Sequence, residues 1–312
     1  MTELLAGWQG IAGTAIIISI ILSGIALGLG RGFSIKRLER FGADELIQSI
    51  LNAAILGFAV VLSTMALQVG TELAPQANIT CFANSTPTDY VLCDINSTQQ
   101  SSFGLGQQLV RIGNVLAYYQ TLSLDFGNFS IQPLANLNSV STQISNSLYS
   151  LQFSSFASSI NAQFLSFISS SWFGVIFASG LVLRSFFLSR KFGAFLIAAA
   201  FSLIIFYPLM IMAFQPPTVQ LQQANSTVSA FLSNPAYAAV PIIDLNDNYA
   251  IGGKLYNMSF AGGQDFTGDL TVLSQQATDA SAAVFFYSII VPVLAFLATL
   301  VLIRELSSSF GG

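Results

Sequence analysis

The chain has 312 residues, 10 basic against 14 acidic, a net charge of −4, 53% hydrophobic residues and only 8% charged ones. A soluble domain carries about 25% charged residues, so composition excludes an ordinary soluble protein, and the acidic balance does not suggest nucleic-acid binding through a basic surface. There is no histidine, which removes haem, copper and most zinc chemistry and the commonest general base.

Five apolar runs follow in chain order, and a helix needs about 20 residues to cross the hydrocarbon core. They are Ile11–Gly30, Leu46–Leu67, Phe164–Leu183, Ala194–Phe214 and Ala282–Ile303, none with Asp, Glu, Lys or Arg in its interior. Ser166, Ser169, Ser170 and Ser171 soften the start of the third. The first run competes with a cleavable signal peptide. Its leading flank, MTELLAGWQG, has no Lys or Arg, whereas a signal peptide carries a positive n-region. It is read as a retained span. Within it Ala15, Ser19 and Ser23 lie four apart, as do Gly24 and Gly28, a small-residue spacing that lets helices approach closely.

The expected fold class is therefore an all-α polytopic membrane protein with five spans. Its segments are 1–67 (external amino terminus, two spans and a basic loop), 68–163 (first external region), 164–214 (spans three and four), 215–281 (second external region) and 282–312 (span five and a cytoplasmic tail). Sidedness comes from charge, because cytoplasmic loops are enriched in Lys and Arg. Arg31, Lys36, Arg37, Arg40, Arg184, Arg190, Lys191 and Arg304 fall in the short connections and tail, while the far longer opposite set holds only Arg111 and Lys254. The short loops are expected inside and the long regions outside, across the cell membrane. Six N-x-S/T sequons, at Asn78, Asn84, Asn96, Asn128, Asn225 and Asn257, all fall in the long regions and are glycosylation candidates. Cys81 and Cys93 lie there too, and an oxidising exterior favours a disulfide between them.

In the stretch RGFSIKRLERFGADEL, Phe33, Ile35, Leu38 and Phe41 interleave with basic residues. Three readings stay open: an anchor whose stems snorkel, an interfacial helix on anionic lipid, and a docking surface for a cytoplasmic ATPase. The docking candidates are Arg31, Lys36, Arg37, Arg40, Arg184, Arg190 and Lys191. In the first external region Leu137, Val140, Ile144, Leu148 and Leu151, then Phe156, Ile160, Phe164 and Phe167, recur at helical steps. That stripe suits a long helix packed within the chain or against a second copy. In the second region AVPIIDLNDNYAIGGKLYNMSF reads as a small β-hairpin. Pro208 and Pro292 are expected to kink spans four and five. Acidic residues outnumber basic ones outside, which fits an acidic medium that protonates carboxylates below pH about 4.

No catalytic constellation, cofactor site or metal site is expected. Asp265 and Asp269 form at most a weak calcium pair, and the glycine-rich GLGRG and GLGQQ lack a strand–loop–helix setting. The spans hold none of the buried ionisable residues that ion-coupled carriers need.

The layout of external amino terminus, five spans, a large external loop between spans two and three and a cytoplasmic end resembles the polytopic inner-membrane subunit of type IV secretion (conjugation) machines. It also resembles that subunit's archaeal counterpart, the CedA family of the Ced DNA-import system. Six outer sequons, the absence of histidine and Ser/Asn-rich loops suit a thermoacidophilic archaeon. The resemblance is one of topology over the whole chain and transfers no individual residue. It implies a membrane platform, a homo-oligomeric ring beneath a conjugation-type pilus. Such a ring would seat pilin subunits or pass single-stranded DNA, with a motor ATPase acting from the cytoplasm. An accessory structural subunit of another membrane complex, or a glycosylated surface or adhesion protein, stand as alternatives.

Overall fold

The computed structural model describes residues 2–76, 87–121, 124–125, 130–131, 137–169, 172–184, 189–233 and 266–311. They are helical nearly throughout. In order come α1 (Thr2–Gly32), α2 (Lys36–Gln76), α3 (Pro87–Thr121), α4 (Asn138–Ser169), α5 (Trp172–Arg184), α6 (Arg190–Phe201), α7 (Tyr207–Met212), α8 (Thr218–Ser233), α9 (Phe266–Phe285) and α10 (Val291–Gly311). A two-residue antiparallel ladder, β1 (Leu124–Asp125) with β2 (Ser130–Ile131), lies between α3 and α4. The β-hairpin expected around Asn246–Gly253 falls outside the described residues.

Among the described residues four helical stretches are long and apolar enough to cross a membrane: Ala12–Gly32, Lys36–Leu62, Arg190–Met212 and a part of Gly268–Phe310. These match runs one, two, four and five, and the chain is a helical membrane protein. Of the third run, Phe164–Ser169 belongs to α4 and Trp172–Leu183 to α5, and residues 170–171 lie outside the described residues.

Both prolines sit next to a π-helical turn. Ser202–Phe206 precedes α7, with Pro208 in the first positions of that helix, and Phe286–Ile290 precedes α10, which opens on Val291-Pro292. A proline clashes with the carbonyl four residues back. Those carbonyls belong to Ile204 and Ser288, both inside the widened turns, which is a usual way for a helix to absorb the conflict.

The chain divides into two compact units, residues 1–94, 162–215 and 291–312, and residues 95–161 and 216–290. In the first, α1 and α2 form an antiparallel pair, α5 pairs with α6, and α10 packs on α6 and α7. Its core joins Ala12, Ile55, Phe177, Leu181, Ile197, Ala200, Phe201 and Ile205. Outward it presents Ile17, Ile18, Ile21, Leu22, Ile25, Ile47, Ile50 and Phe58 of the α1–α2 pair, all at least half exposed, the surface that lipid covers in a membrane protein.

The second unit is a bundle of parts of α3, α4, α8 and α9. Buried positions on α3 run Ile95, Thr98, Ser102, Leu105, Leu109, Ile112, Leu116 and Tyr119, alternating steps of three and four as in a coiled-coil seam. On α8 they are Leu221, Ala224, Val228 and Phe231. With Ile144 and Leu151 of α4 and Leu270, Leu273, Ala277 and Val284 of α9 they close one core.

Candidate functional site

The basic stretch forms the turn of the α1–α2 pair. Ile35 donates its backbone N–H to Gly30 O at 2.8 Å, and Ser34 takes a positive φ of 54° to close the turn. The helices then approach through glycine. A Cβ on Gly30 would lie 2.5 Å from the Glu39 nitrogen, and one on Gly42 2.6 Å from the Leu27 nitrogen. Ser19 and Ser23 of the small-residue stripe are buried against this contact, Ser19 Oγ sharing a 2.8 Å hydrogen bond with Ser49 Oγ. Ala15 is half-buried. Gly24 and Gly28 do not join in. Both are exposed, with nothing within 4 Å of an added Cβ. The Ser19–Ser23 step of the stripe lies in the contact together with Gly30 and Gly42, whereas the Gly24–Gly28 step lies off it.

The docking candidates separate by partner. Arg31 Nε donates to Glu39 Oε1 at 3.1 Å with both side chains exposed. Arg190 Nη2 meets Glu45 Oε2 at 2.9 Å, their side chains only 18% and 12% exposed. That pair ties the start of α6 to α2 beside a cavity of about 240 Å³ lined by Phe41, Asp44, Glu45, Ile47, Gln48 and Arg190. Arg184 is no surface residue: it is 1% exposed, with its guanidinium 5.8 Å from the Phe310 ring. It is buried because Gly193 lets α6 close on α5, an added Cβ there falling 2.4 Å from the Arg184 nitrogen. Lys36, Arg37, Arg40 and Lys191 are exposed. Three of these stand in the first turns of α2, where the helix dipole disfavours cations, so helix stability is not what puts them there.

The Arg190–Glu45 and Arg184–Phe310 contacts bring three chain segments to one end of the first unit: the α1–α2 turn, the α5–α6 connection and the end of α10. Phe33, Ile35 and Phe41 are exposed among the free cations. Chemically this end is a cationic rim with apolar tips, suited to an anionic lipid surface or an acidic partner.

The second unit holds a buried hydroxyl seam. Ser147, Ser154, Ser158 and Asn161 of α4, Thr98 and Ser102 of α3, and Ser274, Ser281 and Ser288 of α9 or the turn after it are all below 9% exposed. Ser158 Oγ donates to Ser288 Oγ at 2.8 Å, Ser147 and Thr278 share a 3.3 Å bond, and Gln99 Nε2 donates to Ser159 Oγ at 2.9 Å. Thr227 Oγ1 hydrogen-bonds Gln276 Oε1. Part of the α4 stripe is not packed within the chain. Leu137, Ile144 and Leu151 are buried, but Phe156, Ile160 and Phe167 are 65%, 54% and 56% exposed. The buried line continues through Ser154, Ser158, Asn161, Leu165 and Ile168 instead. Strict steps of three and four carry it past the aromatic residues, and the serines were the signal.

Cys93 lies half-buried on α3, and Cys81 is outside the described residues. So are Asn78, Asn84, Asn128, Asn257, Asp265 and Lys254. Asn96 is exposed on α3, while Asn225 is half-buried on α8 with Oδ1 lacking a hydrogen-bond partner among the described residues. No group of three His, Cys, Asp or Glu side chains among the described residues is placed to hold a metal ion. No protein-family model, curated protein or solved structure matches the chain.

Proposed function

We propose that this chain is a platform subunit of a conjugation-like DNA-import and pilus-assembly apparatus. In this reading it has five crossings of the cell membrane, its long regions outside and its basic ends inside, and it works as a homo-oligomeric ring. A cytoplasmic motor ATPase docks on the cationic rim, pilin subunits seat on the outer side, and single-stranded DNA is the cargo. The Cys81–Cys93 bridge and glycans at the exposed sequons belong to the same reading, with Asn96 the best placed of those described and Asn225 the worst.

The observation that carries it is the gathering of the short basic connections at one end of the first unit. Lys36, Arg37, Arg40 and Lys191 are exposed there, while Arg190 and Arg184 are held by Glu45 and Phe310. Cations without a role in helix stability, grouped at one membrane face, are what orientation and a cytoplasmic partner require. The DNA-transfer part rests on the topological resemblance. Its test is a deletion strain. Loss of DNA uptake between cells with unimpaired growth is the expected outcome, and normal uptake in the deletion strain would overturn the reading. Mass photometry of the detergent-purified chain should give a multimer, and a monomer would remove the ring.

A further inference from the structure

Helix α4 changes its pattern part way along. Up to Leu151 its buried line is Leu137, Ile144, Ser147 and Leu151, and its exposed positions include Asn138, Ser139, Thr142, Gln143, Ser145 and Asn146. After Leu151 the buried line is polar at Ser154, Ser158 and Asn161 before it returns to Leu165 and Ile168, and the exposed face carries Phe153, Phe156, Ile160 and Phe167 along with Gln152, Gln163 and Ser166. Aromatic residues outward and hydroxyls inward is the wrong arrangement for water and the right one for hydrocarbon, where polar side chains are sealed between helices.

A second observation fixes the depth. Within the second unit α4 runs parallel to α9 and the turn after it in a constant register. Ser147 bonds Thr278 and Ser158 bonds Ser288. Phe153 stacks on Phe285 with centroids 6.4 Å apart. The partner thus lies 130 or 131 residues further along in the two hydrogen bonds, and the ring pair keeps that offset to within a residue or so. The α9–α10 stretch is free of charge between Asp279 and Arg304, and its exposed residues include Phe285, Phe286, Ile290, Val293, Leu294 and Leu297. Phe153 and Ser158 therefore stand beside residues that already belong to the fifth apolar run.

From these two observations we infer that residues 151–169 of α4 are embedded in lipid, with Phe153, Phe156, Ile160 and Phe167 against acyl chains and Ser154, Ser158 and Asn161 sealed inside the bundle. This rests on the membrane reading of the chain. Lipid contact along the third crossing then begins near Leu151, ahead of the apolar run that starts at Phe164. Tyr149, 73% exposed, falls just outside this segment, at the level where tyrosines favour the membrane–water interface. Lipid is preferred to a second copy as the occupant because the face continues the exposed apolar surface of the charge-free stretch beside it.

The test is spin-label accessibility on the full chain in phosphatidylcholine liposomes. Labels go at Phe156→Cys and Ile160→Cys, with Leu297→Cys as the lipid reference, Gln107→Cys as the water reference and the unsubstituted chain as blank. Labels at 156 and 160 should relax with oxygen, as at 297, and resist a water-soluble nickel chelate. Access to the nickel chelate at 156 and 160 alone would overturn the inference and leave the membrane reading intact. Protection from both reagents would overturn it in favour of a second copy. Nickel access at 297 as well would bring down the membrane reading itself. Phe156→Trp in a chain whose own Trp8 and Trp172 are replaced by Phe gives a second probe, and its fluorescence should be quenched by acyl-brominated lipid; an unquenched signal counts against the lipid contact.

Discussion

The two compact units solve the packing problem in different ways. The second gathers leucine, isoleucine and aromatic side chains inward in steps of three and four, and wherever its outer face meets water that burial is what stabilises it. The first turns much of its apolar surface outward and brings helices together through small residues, at Gly30 and Gly42 between α1 and α2 and at Gly193 between α5 and α6. Where lipid is the solvent, burying a leucine gains little over leaving it exposed, and close backbone approach supplies the contact energy. The same side chain therefore has a different worth in each unit, and substitutions expose that difference.

The largest effect is expected where backbone meets backbone. Gly193→Val would drive a side chain into the Arg184 backbone, and the chain should fail to elute as a single species in size-exclusion chromatography. Next comes the second unit's core. Leu109→Ala, at a fully buried site, should cost about 2–5 kcal/mol in thermal unfolding, whereas Leu297→Ala, 53% exposed in the first unit, should stay within about 0.5 kcal/mol. Equal losses at the two sites would erase the contrast.

Smaller effects resolve the hydroxyl seam. Ser158→Ala removes the bond to Ser288 and should cost about 0.5–1.5 kcal/mol. Ser154→Ala should be neutral or stabilising, because the buried Ser154 Oγ has no hydrogen-bond partner among the described residues. The smallest effect concerns pH. Burial, with the neighbouring Tyr118, holds the Tyr119 phenol above its ordinary range. The folded state keeps that proton more tightly than the unfolded chain. The stabilisation is therefore complete below pH about 10, where the unfolded phenol titrates, and is lost as the pH rises further towards the folded value. The Tyr119→Phe variant should show a flatter alkaline limb in a stability–pH curve.

Much of this was legible in the chain. Four uninterrupted apolar runs became membrane-length helices, because length and the absence of charge are sufficient signals in hydrocarbon. Pro208 and Pro292 marked the places where helices are perturbed. In the second half of α4 the apolar stripe Phe156, Ile160 and Phe167 stays exposed on the single chain while serines take the buried line, because a helical period is equally satisfied by either face. Small-residue spacing found Ser19 and Ser23 on the contact between α1 and α2, while Gly24 and Gly28 lie off it and the closest approach is made by Gly30 and Gly42. The Arg190–Glu45 pair joins residues 145 positions apart, and no local pattern reveals that the first is tied while Lys191 beside it is free.

Sidedness underlies every functional statement made for this protein, and its three lysines offer a direct test. Lys36 and Lys191 lie in the short basic connections and Lys254 in the second long region. Intact cells would be treated with a membrane-impermeant amine reagent and the purified chain mapped by mass spectrometry. Modification of Lys254 alone, with Lys36 and Lys191 reacting only after the cells are opened, is the expected result. Modification of Lys36 or Lys191 in intact cells would contradict the arrangement.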